Sequence, residues 1–152
     1  MPETIIADSS ALIALEKIGL SNILCEMYSE VLLPEAVIEE YGIPDFPCFS
    51  IRKIQDNLLA LLSAYANLGK GESEVIVLAY QTGIKAIIDD MKARKAALKL
   101  KLAITGTIGV LLKAESLGLI SSAYDKAEEL RKNGFYVSDD VLKNILKFKS
   151  GN

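Results

Sequence analysis

Histidine and tryptophan are both missing from this 152-residue chain. Without histidine no Ser/His/Asp or Cys/His triad can form, and no imidazole is available to hold a metal or shuttle protons near neutral pH. Cysteine is almost missing as well. Cys25 and Cys48 make neither a disulfide framework nor a metal-ligand spacing, so two free thiols in a reducing cytosol are expected. No apolar run approaches the roughly 20 residues of a membrane span. The start, Met1-Pro2-Glu3-Thr4, lacks the basic region of a secretory signal. A cytoplasmic protein with no membrane association is expected. The Walker pattern G-x-x-x-x-G-K-[ST] is also lacking, and Gly69-Lys70-Gly71-Glu72 resembles a phosphate loop only superficially. With no repeat, low-complexity tract or Gly/Ser-rich linker, residues 1–152 read as a single domain.

What is present is a core. Hydrophobic residues make up 51% of the chain and charged residues 24%, the balance of a folded globular protein. The mean hydropathy of +0.29 is high for a soluble monomer and leads us to expect a homodimer. A net charge of −3 argues against a surface that is a nucleic-acid footprint throughout. Lysines nevertheless cluster at residues 92–101 and 143–149, the second group reading as a solvated helix face.

Apolar Thr4-Ile5-Ile6-Ala7 predicts a strand that stops at Asp8, where Asp8-Ser9-Ser10 supplies N-cap chemistry for a helix carrying Leu12, Ile13 and Leu15. Gly19 breaks that helix, and Ser21 can cap a short one through Leu24. A second strand is expected over 30–33, stopped by Pro34. A loop follows over 42–50, then a short edge strand at 51–54. Helices are predicted over 56–68 and 72–82, the latter closed by Gly83. A strand over 84–88, a basic helix to about Leu100 and a strand near 102–104 come next. Three helical patterns complete the chain at 107–117, 122–133 and 139–148. Strands alternating with helices imply an α/β fold, a mainly parallel sheet of four to five strands covered on both faces.

Two of these strands end in acid. Asp8 closes the first, and Asp89-Asp90 follow Ala86-Ile87-Ile88. Beyond the carboxyl ends of parallel strands is where such sheets bind ligands, and carboxylates gathered there repel one another unless a cation or proton intervenes. Helical phase adds to the set. Val75, Ile76 and Ala79 put Glu72 on the buried stripe of its helix and turn Glu74 nearly the opposite way. Glu40 lies nearer the apolar face set by Val37, Ile38 and Tyr41 than Glu39 does. Phase does not separate Asp89 from Asp90. Ser138-Asp139-Asp140 reads instead as capping charge. A pocket of Asp8, Glu40, Glu72 and Asp89 or Asp90 suits Mg²⁺ or Mn²⁺, with Ser9, Ser10, Thr105 and Thr107 as hydroxyls to orient phosphate or water. Lys70, Lys92 and Arg94 are the cations that would neutralise a nucleic-acid backbone.

These residues carry a family resemblance. Ile6-Ala7-Asp8-Ser9-Ser10-Ala11-Leu12-Ile13 resembles the opening motif of PIN-domain ribonucleases. Gly69-Lys70-Gly71-Glu72-Ser73-Glu74, Ile88-Asp89-Asp90-Met91-Lys92-Ala93-Arg94 and Thr105-Gly106-Thr107-Ile108-Gly109-Val110-Leu111-Leu112 are similar to a narrower group of short prokaryotic PIN-like proteins related to VapC-type toxins. The late Gly134-Phe135-Tyr136-Val137-Ser138 segment belongs to the same likeness. The resemblance implies a three-layer α/β/α fold and a metal-dependent nuclease site of three or four acids. It further implies RNA as substrate, frequent dimers and often a partner antitoxin. By motif, Asp8 is the first acid, Glu40 the second, Glu72 the third and Asp89 or Asp90 the last. Glu72 stands where many members have aspartate, and Asp-Asp-x-Lys-Ala-Arg replaces the usual fourth-acid motif. The expected activity is hydrolysis of RNA by metal-activated water. A catalytically weak RNA- or protein-binding module is the alternative, and a phosphotransfer domain with Asp8 as nucleophile a third.

Overall fold

The computed structural model describes residues 3–150. Met1 and Pro2, part of the segment read above for a signal, lie outside it, as do Gly151, Asn152 and the side chains of Lys149 and Ser150. Strand β1 (Glu3–Ala7) leads into α1 (Ser9–Lys17) and the short α2 (Ile23–Met27). Then come β2 (Tyr28–Pro34), α3 (Glu35–Tyr41), β3 (Phe49–Arg52), α4 (Leu58–Tyr65) and α5 (Lys70–Thr82). The second half runs β4 (Ala86–Ile87), α6 (Met91–Lys99), β5 (Ile104–Thr105), α7 (Thr107–Ser116), α8 (Ala123–Lys132) and α9 (Asp139–Ser150).

Five strands pair in parallel in the order β3-β2-β1-β4-β5, with helices on both sides. This is the α/β/α architecture expected from the alternation of strands and helices. The central strand β1 is apolar enough to be buried on both faces: Ile5, Ile6 and Ala7 are within 1% of full burial, as a sheet covered on both sides demands. The strand order carries the functional geometry. The chain leaves β1 toward β2 and β3, but leaves β4 in the opposite direction, toward β5. Between the carboxyl ends of β1 and β4 the connections therefore part, and a crevice opens at this switch point. Register pairs Ala7 with Ile87, so Asp8 and the Ile88-Asp89-Asp90 segment begin at the same level of the sheet.

Several local expectations shift. α2 starts after Asn22 rather than Ser21, α4 is shorter than the apolar pattern over 56–68, and β4 and β5 each keep two ladder residues. β3 starts at Phe49, two residues ahead of the expected edge strand. Gly83 closes α5 at φ 73°, the left-handed conformation that glycine adopts at least cost. The expectation of two free thiols fails: Cys25 and Cys48 form a disulfide, their Cα atoms 5.5 Å apart. Residues far apart in sequence meet because α2 packs on β2 while the chain before β3 runs alongside that strand. Pairing of that kind is a tertiary fact, invisible to spacing. Among the described residues no helix is long and apolar enough to cross a membrane.

Candidate active site

Asp8 follows the last residue of β1 and caps α1: its Oδ1 accepts the Ala11 N–H at 2.9 Å. Neither Ser9 nor Ser10 takes that role, although either hydroxyl offered an alternative. Ser10 instead donates to Asp8 Oδ2 at 3.2 Å. Asp8 is 5% exposed, and burial is the main reason its carboxyl is pushed up to about 7 from 3.8. The negative charges of Asp89 and Glu72 raise it further, against the Ala11 N–H and Ser10 hydroxyl, which favour the ionised form. An acid with that profile in a cleft is a functional candidate.

Glu72 opens the other wall. It lies in the first turn of α5 and accepts the Gly69 N–H at 3.1 Å, a capping contact that also gains from the helix dipole. Burial raises its pKa, and the nearby Asp90 and Glu40 carboxylates add to the rise. Asp90 lies within hydrogen-bonding reach of Glu72 while capping α6 through the Ala93 N–H at 3.0 Å. Glu40, at the end of α3, accepts from Ser9 Oγ at 2.7 Å and lies over Gly71, where an added Cβ would collide with its carboxylate. Asp8, Ser9, Ser10, Glu40, Gly71 and Glu72 line a cleft of about 250 Å³.

Asp89 and Asp90, which phase left equivalent, are separated by their partners. Asp89 is clamped by the N-terminus of α7: the Thr107 N–H and hydroxyl donate to its two oxygens at 2.8 and 2.6 Å. Asp90 instead faces Glu72. Both belong to the acidic centre, because the charge of Asp89 reaches Asp8 and that of Asp90 reaches Glu72.

The hydroxyls and cations named from the sequence divide. Ser9, Ser10 and Thr107 each bind a carboxylate of the centre. Thr105 packs its hydroxyl against Gly109, one turn into α7. Arg94 donates to the Ile88 carbonyl beside Asp89, bracing the loop after β4. Lys70 pairs with Glu39 at 3.4 Å, both side chains exposed, and so turns from the cleft. Lys92 is exposed on α6.

Helical phase misplaced one acid. Glu74, read as pointing away from the buried side, is 5% exposed and accepts the Ala36 N–H at 3.0 Å, whereas Glu72 is half-buried. α5 is enclosed by the sheet, α3 and α4, so every position from Ser73 to Ala79 is buried. Phase has no polar side to report there. The signal for Glu74 was its position opposite the start of a second helix, and that is legible only in three dimensions. Ser138-Asp139-Asp140 behaves as capping charge: Ser138 Oγ accepts the Val141 N–H, and Asp139 pairs with Arg131.

In composition the centre suits a hard divalent cation: its donors are all oxygens, and Asp8 carries unneutralised like charge around it. Each carboxylate is at present turned to its own hydrogen-bond donor or neighbour. Among the described residues no group of three or more His, Cys, Asp or Glu side chains is placed to hold a metal ion.

Comparison with known proteins agrees with this architecture. A family model described as a PIN domain matches residues 4–150, nearly the whole chain. No curated protein matches it. The five-stranded parallel sheet, its switch-point acids and the match over residues 4–150 lead to one assignment: the chain belongs to the PIN-domain family.

Proposed function

We propose that this protein is a divalent-metal-dependent endoribonuclease that cuts RNA by hydrolysis. A PIN domain is a nuclease-like module; the RNA substrate and the metal are the further step. One observation carries it: a buried acid at the β1 switch point, Asp8, with its carboxyl pushed up to about 7 by burial and by neighbouring carboxylates. A cation at the cleft would favour the ionised form that burial and the neighbouring Asp89 and Glu72 charges oppose. Asp8 and Glu72, with Asp89 or Asp90, would hold Mg²⁺ or Mn²⁺. The bound ion supplies neutralisation of phosphoryl charge and a water acidic enough to act as nucleophile. Glu40, oriented by Ser9, positions that water. Thr107 keeps Asp89 from turning away, and a cation between Asp90 and Glu72 would relieve the repulsion of these two neighbouring carboxylates. A homodimeric toxin restrained by an antitoxin protein is the setting we propose for this activity.

A catalytically weak binding module is the second reading, favoured by the carboxylates being individually hydrogen-bonded rather than converged. Incubation of a mixed RNA pool with Mg²⁺ or Mn²⁺ decides between the two. The nuclease reading expects metal-dependent fragments with 5′-phosphate and 3′-hydroxyl ends. An RNA pool left intact with every divalent metal tried supports the binding module.

A further inference from the structure

Beside the acidic centre, α4 and α6 enclose a groove of about 480 Å³ whose chemistry is the reverse of the cleft's. Its floor is apolar, built by Leu61, Leu62, Ala96 and Leu100. Its rim is Lys92, Lys95 and Lys99, at positions i, i+3 and i+7 of α6, which set them on one face. No carboxylate lines the groove, although acids outnumber bases 20 to 17 in the chain.

Four cations elsewhere are held in ion pairs. Lys70, Lys113, Lys126 and Arg131 are paired with Glu39, Glu3, Glu129 and Asp139. Among the described residues Lys92, Lys95 and Lys99 have no such partner, and all three are exposed. Tyr65 stands at the groove 85% exposed, where its ring is available for stacking.

The ladder starts next to the centre along α6: Asp90 caps that helix, and Lys92 follows two residues later. From Lys92 to Lys99 the ladder runs about 10 Å along the helix. The geometry points to this groove as the track for single-stranded RNA leaving the acidic cleft, with its phosphates on the three lysines and a base stacked on Tyr65. This assignment rests on the nuclease reading for the direction of the strand. Two features favour RNA over an acidic protein segment: the start of the ladder two residues after Asp90, and an aromatic platform beside a basic rim, the combination used for single strands. In this track the lysine stems would lie along the apolar floor with their ammonium groups above it.

Fluorescence anisotropy with a labelled mixed-sequence 12-nucleotide RNA, in EDTA so that nothing is cut, tests the track. Three phosphate contacts predict a salt slope steeper by about 2 and roughly 20-fold weaker binding between 50 and 200 mM KCl. Charge reversal by Lys92→Glu, Lys95→Glu and Lys99→Glu together removes that slope and at least tenfold of affinity. Tyr65→Ala weakens binding about tenfold without changing the slope. Reversal of Lys143 and Lys147 on α9 leaves binding near the wild-type value.

Unchanged affinity and slope in the triple variant, its folding verified by thermal melting, would overturn the track. So would equal loss in the α9 control, or a glutamate-rich peptide of similar charge competing as well as unlabelled RNA; the last result assigns the groove to a protein partner. Loss of binding in the triple variant together with an inert cleft would leave the track standing and remove the nuclease reading. Cleavage with binding unaffected by the triple variant would do the opposite.

Discussion

A carboxylate that caps a helix while buried among other acids, as Asp8 is, carries a pH dependence of its own. Its folded pKa is pushed up to about 7 against 3.8 for the free side chain. Between those values the unfolded chain has released the proton and the folded chain has not, so stability falls as pH rises from about 4 to 7 and then levels off. The shift corresponds to at most about 4 kcal/mol. Asn keeps the capping oxygen and never ionises. Asp8→Asn should therefore raise the melting temperature of the metal-free protein at pH 8 and do little at pH 4. Equal effects at both pH values would contradict the buried-charge account. Gly71 offers a second test at this scale. Gly71→Ala gains about 1 kcal/mol of helix propensity, and the new methyl meets only the carboxylate end of Glu40, which must shift from its place beside Ser9. We expect unchanged or slightly raised stability with cleavage reduced about tenfold, read by melting and single-turnover assays in parallel.

At the scale of elements, two tertiary ties hold the frame around the centre. Glu74 links α5 to the first turn of α3 through the Ala36 N–H. Glu74→Ala strands that donor and opens a cavity, for an expected loss of about 2–3 kcal/mol by urea unfolding. A change below about 0.5 kcal/mol would show that water replaces the contact. The Cys25–Cys48 bond ties α2 to the chain before β3 across a separation of 23 residues. Cross-linking a loop of that length constrains the unfolded chain by about 3 kcal/mol, so reduction should lower the urea midpoint accordingly. Two thiols titrated in the unfolded, unreduced protein would contradict the pairing.

These elements also show what could be read before folding. The alternation of apolar strands with capped helices was enough to foresee the parallel sheet, because buried strands and Gly or Pro boundaries are local signals. Asp8 and Asp89-Asp90 were visible for the same reason: each acid interrupts an apolar run. Glu74 and the disulfide were not, since a buried helix loses its polar side and cysteine pairing depends on distant segments meeting. Nor was the partner of Lys70, named as a cation for a nucleic-acid backbone, since its side chain turns to Glu39 on another helix.

Across the whole molecule, opposed charge is sorted by position. Acids gather where β1 and β4 part, and unpaired lysines follow along α6, so a net charge of −3 describes neither surface. Divalent cations should accordingly stabilise the wild-type fold, because a ligand held by the native state alone shifts unfolding by mass action. A rise in melting temperature with millimolar Mg²⁺ or Mn²⁺ is expected for the wild type and is lost in Glu72→Gln. The most direct measurement of the central claim is the single-turnover rate of RNA cleavage in Mn²⁺ for wild type and Asp8→Asn, both verified as folded. A metal centre worth several kcal/mol to the reaction predicts a fall of at least about 100-fold. Metal-dependent cleavage at an undiminished rate in Asp8→Asn would contradict the account.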